Sequence, residues 1–405
     1  MDPARLAAER VARGSYGRLV ALLAARSRDI ASAEDALADA LVAALRTWPE
    51  RGIPANPDAW LLTAARNRMR NAYRHRTITV AAEPDLALLH LPDGDEPQAI
   101  PDERLKLMFV CAHPAIEAGI RTPLMLQTIL GLDAARIGST FLVSPATMGQ
   151  RLVRAKAKIK EAGLRFDIPS PADMPGRLAE VLDAVYAAYG VGWDGHHGGD
   201  AGIRDLAQEA VFLGRLLVAL LPDEPEAKGL LALMLYCEAR REARSDGEGR
   251  FIPLERQDAR LWSRDLIIEA EALLIAASGF GRFGRYQCEA AIQSVHVQRP
   301  ITGRTDHHAL LTLYRLLAER HPSIGALLGY AAVLVEAGRA AEAMALLDAL
   351  PADDIRTHQP YWVTLARTQD ALGLPEAASA SLETAIGLTG SDAVRAFLRT
   401  LLDPR

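Results

Sequence analysis

Apolar residues recur along nearly the whole chain at intervals of three and four, the period of a helix with one face turned to a core. In the first segment Ala33, Ala36, Leu37, Ala40, Leu41, Ala44, Leu45 and Trp48 keep this spacing and predict a helix with one apolar face. A helix from Arg5 to about Arg26 precedes it. A third, from Ala59 to about Arg76, follows the loop RGIPANPD, whose Asn-Pro-Asp turn suits a helix start. Residues 77–101 lose the period, hold four prolines and several acids, and read as a flexible linker. A second helical unit runs from Asp102 to about Leu164. Pro169, Pro171 and Pro175 then punctuate the chain before a long helical region, interrupted by loops at 192–202 and 244–253. Alternating Val/Ile/Thr runs are nearly absent, so the expected fold class is all-α.

Within the second unit, LGLDAARIGSTFLVSPATMGQRLVRAKAKIK (130–160) carries the signals of a helix-turn-helix. Gly131 can end one helix and Asp133 can cap the next. Ile137 and Phe141 lie one turn apart. Ser144-Pro145 is a second start signal, with Pro at the first helical position. Met148, Leu152 and Ala155 then form the inward face. Ser144, Thr147, Gln150, Arg151, Arg154, Lys156 and Lys158 are left for other faces, where Gln and Arg can contact base edges and the Lys/Arg tail can contact phosphates. A solvated basic helix in an ordinary bundle would show the same charges.

In the third helix Leu62, Ala65, Met69, Ala72 and Tyr73 form the apolar side, and Arg66, Asn67, Arg70, Asn71 and Arg74 a polar stripe with Trp60 at its start. Aromatics beside arginines suit unstacked bases, although an amphipathic surface helix also fits. Charge sharpens the picture. The chain has a net charge of −5, yet residues 1–76 hold thirteen Arg against eight Asp/Glu, and residues 134–165 hold seven Arg/Lys against Glu161 alone. Screening makes the local balance the relevant one, and two basic segments on an acidic body suit nucleic acid.

The order of these parts is what becomes recognisable. SAEDALADALVAALRTW, NPDAWLLTAARNRMRNAYRHR, a linker and a helix-turn-helix together resemble bacterial RNA polymerase sigma factors of the extracytoplasmic-function group. DERLKLMFVCAHPAI, FLVSPATMGQRLVRAKAKI and LLPDEPEAKGLLALMLYCEARREAR resemble the long subgroup with a tetratricopeptide-like C-terminal domain. The resemblance implies a region 2-like domain at 1–76, a linker at 77–101, a region 4-like domain at 102–168 and a helical extension at 169–405. Asp35, Asp39 and Leu41 would dock on core polymerase. Asn56, Trp60, Arg66, Asn67, Arg70, Asn71 and Arg74 would capture the melted upstream element. Ser144, Thr147, Gln150, Arg151, Arg154, Lys156 and Lys158 would lie at the distant promoter element. The linker acids Glu83, Asp85, Asp93, Asp95 and Glu96 would imitate nucleic-acid charge or simply be solvated. Gly149 stands where many members carry Arg, so promoter sequence is not carried over.

In the extension, AGRAAEAMALLDAL (337–350) resembles LGLPEAASASLETAI (372–386), with Glu342-Ala343 and Glu376-Ala377 offset by 34, the period of tetratricopeptide helix pairs. A short array of such pairs near 325–390 is expected, and an unrelated helical bundle is the alternative.

Other chemistry finds little support. Cys111, Cys237 and Cys288 form no CxxC pair. His196-His197 beside Asp194 and Asp200 lacks a further ligand cluster, and Cys111-Ala112-His113 is a nucleophile–base pair by adjacency alone. No phosphate-binding glycine motif is present, so neither enzyme activity nor a metal or cofactor is expected. No apolar stretch reaches membrane-spanning length, and MDPARLAAER carries charge where a secretory signal needs an apolar core. The expectation is a cytoplasmic factor whose partners are core RNA polymerase and double-stranded and locally melted promoter DNA, with a protein partner on the extension. The alternatives are a helix-turn-helix regulator with a helical-repeat effector domain, and a helical interaction scaffold.

Overall fold

The computed structural model describes residues 3–79, 102–141, 143–194 and 201–402. Every regular element among them is helical, apart from a single antiparallel bridge between Ser245 and Phe251. The fold is therefore all-α, as the three/four spacing predicts. Two compact units divide the chain: Met1–Gly192 with Asp205–Glu209, and Trp193–Arg204 with Ala210–Arg405.

The first unit contains α1 (Pro3–Ser27), α2 (Ile30–Arg51), α3 (Pro57–Thr79), α4 (Arg104–Cys111), α5 (Ala118–Leu130), α6 (Ala134–Thr140), α7 (Pro145–Glu161) and most of α8 (Met174–Asp194). The third helix thus runs three residues past the expected end at Arg76; the rest of the expected linker, with its five acids, lies outside the described residues. α1 packs against α2, α3, α4 and α5, and α7 packs against α2 and α5. Gly17 makes the α1–α5 crossing feasible, because a Cβ there would lie 2.0 Å from the carbonyl oxygen of Ile129. One residue earlier, the Tyr16 ring covers Gly131, whose φ of +70° ends α5 in the left-handed region. The helices on either side of residues 80–101 therefore share packing, where the sequence suggests two separately tethered domains.

Two sequence expectations shift. Leu41 and Leu45 were expected to face the core of α2, but the buried stripe is Ile30, Ala33, Ala36, Leu37, Ala40, Ala44 and Trp48. Small alanines let neighbouring helices approach, and Leu41 and Leu45 each fall 100° beyond that stripe. Leu41 is half-buried and Leu45 is 46% exposed. The expected boundary at 168/169 also moves, because α8 belongs mostly with the first unit. Thr122 Oγ1 donates to the Ala184 carbonyl at 3.2 Å, and Arg121 pairs with Glu180. Arg177 donates to the Phe109 carbonyl.

The second unit holds most of α9 (Ala201–Leu220), then α10 (Pro225–Ala239), α11 (Arg264–Ser278), α12 (Arg285–Val297), α13 (Arg299–Thr302), α14 (His307–Arg320), α15 (Ile324–Glu336), α16 (Ala340–Asp348), α17 (Ala352–Ile355), α18 (Gln359–Ala371), α19 (Pro375–Leu388) and α20 (Asp392–Leu402). α10 is apolar on all sides and is buried between α11 and α12. Towards the C-terminus α15 pairs with α16 and α18 with α19. The two turns match at Gly338 and Gly373, with φ of +75° and +73°. Ala343 and Leu347 are buried in one pair, and Ala378 and Leu382 in the other. The structural offset is therefore 35, not the 34 suggested by the Glu-Ala dipeptides. Left-handed glycines and small buried alanines set the register; the exposed glutamates do not.

Candidate nucleic-acid interface

The consecutive helices α6 and α7 form through the expected local signals. Asp133 Oδ1 accepts from the Arg136 amide at 2.7 Å and starts α6. Ser144 Oγ accepts from the Thr147 amide at 3.2 Å, with Pro145 at the first position of α7. Loss of such a cap costs about 1 kcal/mol. Ile137 is buried and Phe141 half-buried; Met148, Leu152, Ala155 and Ile159 form the buried stripe of α7.

Ser144, Thr147, Gln150, Arg151, Arg154 and Lys158 are all exposed. Lys156 departs from its expected place on the free basic face. Its Nζ lies 2.6 Å from Glu34 Oε2 and 3.0 Å from Gln127 Oε1, and its side chain is only 10% exposed. One turn later Lys160 Nζ donates to Asp29 Oδ2 at 2.6 Å. Lys156 is one position past the inward Ala155, so a 100° step points it at α2 instead of solvent. These two bonds join α7 to the start of α2. Burial raises the Glu34 carboxyl above its usual range, although Lys156 opposes the shift. Burial alone would also raise Asp29, but hydrogen bonds from Lys160 and Ser32 outweigh it and hold that carboxyl low.

A shallow depression of about 510 Å³ lies on the outer face of α7, lined by Pro145, Ala146, Gly149, Gln150, Val153 and Arg154. Val153 is 63% exposed. A Cβ on Gly149 would meet only Ala134 Cβ, at 3.9 Å. Packing therefore does not demand the glycine, which costs about 1 kcal/mol relative to Ala inside a helix.

The polar stripe of α3 is anchored at its start and at its middle. Asp58, in its first turn, accepts from Ser15 Oγ and Arg18 Nη2, each at 2.8 Å. Arg68 pairs with Asp39 at 2.8 Å and ties α3 to α2. Asn56 is exposed, with its Oδ1 accepting from the Ala59 amide at 3.1 Å, so it caps α3. Trp60 rests edge-on against buried Trp48, with ring centroids 5.6 Å apart at 70°. Arg66 is half-buried, and its Nε is buried without a partner. Burial and nearby Arg26 push its guanidinium below the ordinary arginine value. A half-buried cation facing another cation suits an incoming anion. Arg70 donates to Asn67 Oδ1 at 2.7 Å, and Asn71 is exposed. The Arg74 side chain lies outside the described residues.

On α2, Asp35 and Asp39 are exposed and Leu41 is half-buried, next to Val42 and Leu45, each 46% exposed. The spacing gives no sign that Leu45 faces outward, and Arg18 and Arg68, which bond to Asp58 and Asp39, are equally unmarked in the sequence.

Cys111 and His113 are each engaged by other groups. Cys111 is fully buried, its Sγ 3.3 Å from Thr128 Oγ1, and burial pushes its thiol up to about 12. His113 Nδ1 accepts from the Ala115 amide at 3.0 Å, so it is not a base for that thiol. No group of three metal-binding side chains occurs among the described residues. His196, His197 and Asp200, with the Asp194 side chain, lie outside them.

Comparison with known proteins bears on α1–α3 and on the stretch from α8 to α11. The sigma-70 region 2 family matches residues 12–78, and a family of unknown function, DUF6596, matches residues 177–278. An uncharacterized protein of Rhizobium meliloti (strain 1021), R00370, is 34% identical over 383 residues, covering 93% of this chain and 90% of its own. A probable RNA polymerase sigma factor of Xanthomonas campestris pv. campestris, RfaY, is 29% identical over 179 residues, covering 40% of this chain and 44% of its own. No solved structure matches.

Proposed function

Because the chain belongs to the extracytoplasmic-function sigma factors that carry a C-terminal extension, we propose that it binds core RNA polymerase through α2 and directs it to promoters through α3 and α7. The observation that carries this reading is the side-chain-capped helix α7, with a buried apolar stripe and an outward face of Thr147, Gln150, Arg151, Arg154 and Lys158. The Trp60, Arg66 and Arg70 region of α3 would hold the melted strand, and Asp35, Asp39, Leu41, Val42 and Leu45 would meet polymerase. The polymerase performs the chemistry. In the second unit, the paired helices α15–α16 and α18–α19 form a tetratricopeptide-like surface for a protein partner.

Lys156 and Lys160 fit this scheme only after a change of state. While they bond to Glu34 and Asp29, they are unavailable to phosphate, so engaging both promoter elements separates α7 from α2. Two weak DNA contacts on one chain then reinforce each other by tethering.

The test is transcription reconstituted with sigma-free core polymerase. Full-length protein should yield specific starts, and Arg154→Ala should weaken promoter binding about tenfold while leaving affinity for core unchanged. Absence of core binding in a pull-down would sink the proposal. A regulator that binds DNA without core would give the opposite pattern.

A further inference from the structure

We propose that the outer face of α7 reads an adenine–thymine step in duplex DNA. Gln150 hydrogen-bonds the adenine edge, Val153 covers the thymine C5 methyl, and Gly149 keeps the helix surface low enough for both to reach. This rests on the reading of α7 as the duplex-binding helix.

Val153 is more exposed than any other large apolar side chain described in the first unit, at 63%. It does not stand alone. Ala146, Gly149 and Val153 follow one another at intervals of three and four, so they form one strip along the helix. With Pro145 they give the depression on α7 an apolar lining, and Gln150 and Arg154 supply its polar groups. Exposed Arg151, Arg154 and Lys158 surround it with positive charge, which selects an anionic occupant.

An apolar strip inside a cationic border matches the major groove at a thymine. Thymine alone among the bases offers a methyl group there, while adenine offers the N6/N7 pair that an amide side chain can bond in bidentate fashion. Residues three apart on a helix are neighbours, so Gln150 and Val153 can address adjoining base pairs. Gly149 completes the case. The fold leaves room for a side chain at this position, and glycine weakens a helix interior. Its use is therefore external: a bare backbone lets the duplex come closer.

The experiment uses full-length protein with core polymerase and a pool of random duplex DNA, from which bound sequences are selected. The enriched distant element should contain an adenine beside a thymine. Replacing that thymine with deoxyuridine, which lacks the methyl, should weaken binding about fourfold, the value of burying one such group. Val153→Ser should bind both forms equally. Gly149→Ala should weaken binding to the enriched duplex while retaining the helical circular-dichroism spectrum. An enriched element that lacks the pair, or a Val153→Ser variant that keeps the full methyl preference, would overturn the proposal but leave duplex binding by α7 intact. Enrichment of no sequence would overturn both readings.

Discussion

Gly149 and Arg66 show how single positions can be understood from what they lack. Gly149 has neither a positive φ nor a close neighbour to justify it. Gly149→Ala should therefore stabilise the protein by about 1 kcal/mol, measured by urea denaturation. A loss of stability would mean that the surroundings do demand glycine. Gly17 is the opposite case: any side chain there would strike the Ile129 carbonyl and push α1 away from α5. Arg66 has no acid bonded to its Nε among the described residues. A guanidinium whose Nε is buried without a partner, close to Arg26, is costly to the free protein, and phosphate would supply the missing counter-charge.

At the scale of elements, the α2–α7 contact is held by acids with opposite tendencies. Glu34 is raised, so its contribution is full at low pH and is lost as the pH climbs through its folded value. Asp29 is depressed, so its contribution is present above the ordinary aspartate value and is lost as the pH falls below it. Lys156→Met should leave Glu34 buried without its cation and cost about 3 kcal/mol at pH 7. The loss should shrink on acidification as Glu34 takes up a proton. Urea unfolding at pH 7 and pH 5 checks this, and an equal loss at both would show that Glu34 is not the group responsible.

This contact also marks where the sequence stopped being informative. Asp133, Ser144 and Pro145 announce their helix starts because capping is local, and Met148, Leu152 and Ala155 announce their face because periodicity is local. The pairing of Glu34 with Lys156 spans 122 positions, and nothing in either neighbourhood encodes it. Charge alone therefore puts Lys156 on the basic face. Hydrophobicity likewise puts Leu45 in the core, whereas the alanines beside it set the stripe. The C-terminal pairs were legible as a repeat, but with the wrong offset. The Glu-Ala dipeptides suggest 34, whereas Gly338, Gly373 and the buried alanines fix the register at 35.

For the whole molecule, the packing of α2 against α7 predicts a measurable rearrangement. Dyes on cysteines introduced at exposed Ala31 and Glu161, which flank the Asp29–Lys160 bond, should report a short distance in the free protein. The distance should lengthen when core polymerase and promoter are added together. An unchanged distance in an actively transcribing complex would refute the separation proposed for α2 and α7. Net charge fits the same view: a chain that is negative overall concentrates positive charge on α3 and α7, so attraction to DNA would be confined to the surfaces proposed to touch it.

The edge-on indoles of Trp48 and Trp60 carry a last consequence, an optical one. Two such chromophores 5.6 Å apart at 70° share their electronic excitation, and the sharing gives a paired band of opposite signs in circular dichroism. A base that stacks on Trp60 and turns it away from Trp48 would collapse that band. Strand capture would thus be visible in the unlabelled protein, and Trp48→Phe would make it blind to the event without removing the tryptophan that meets the base.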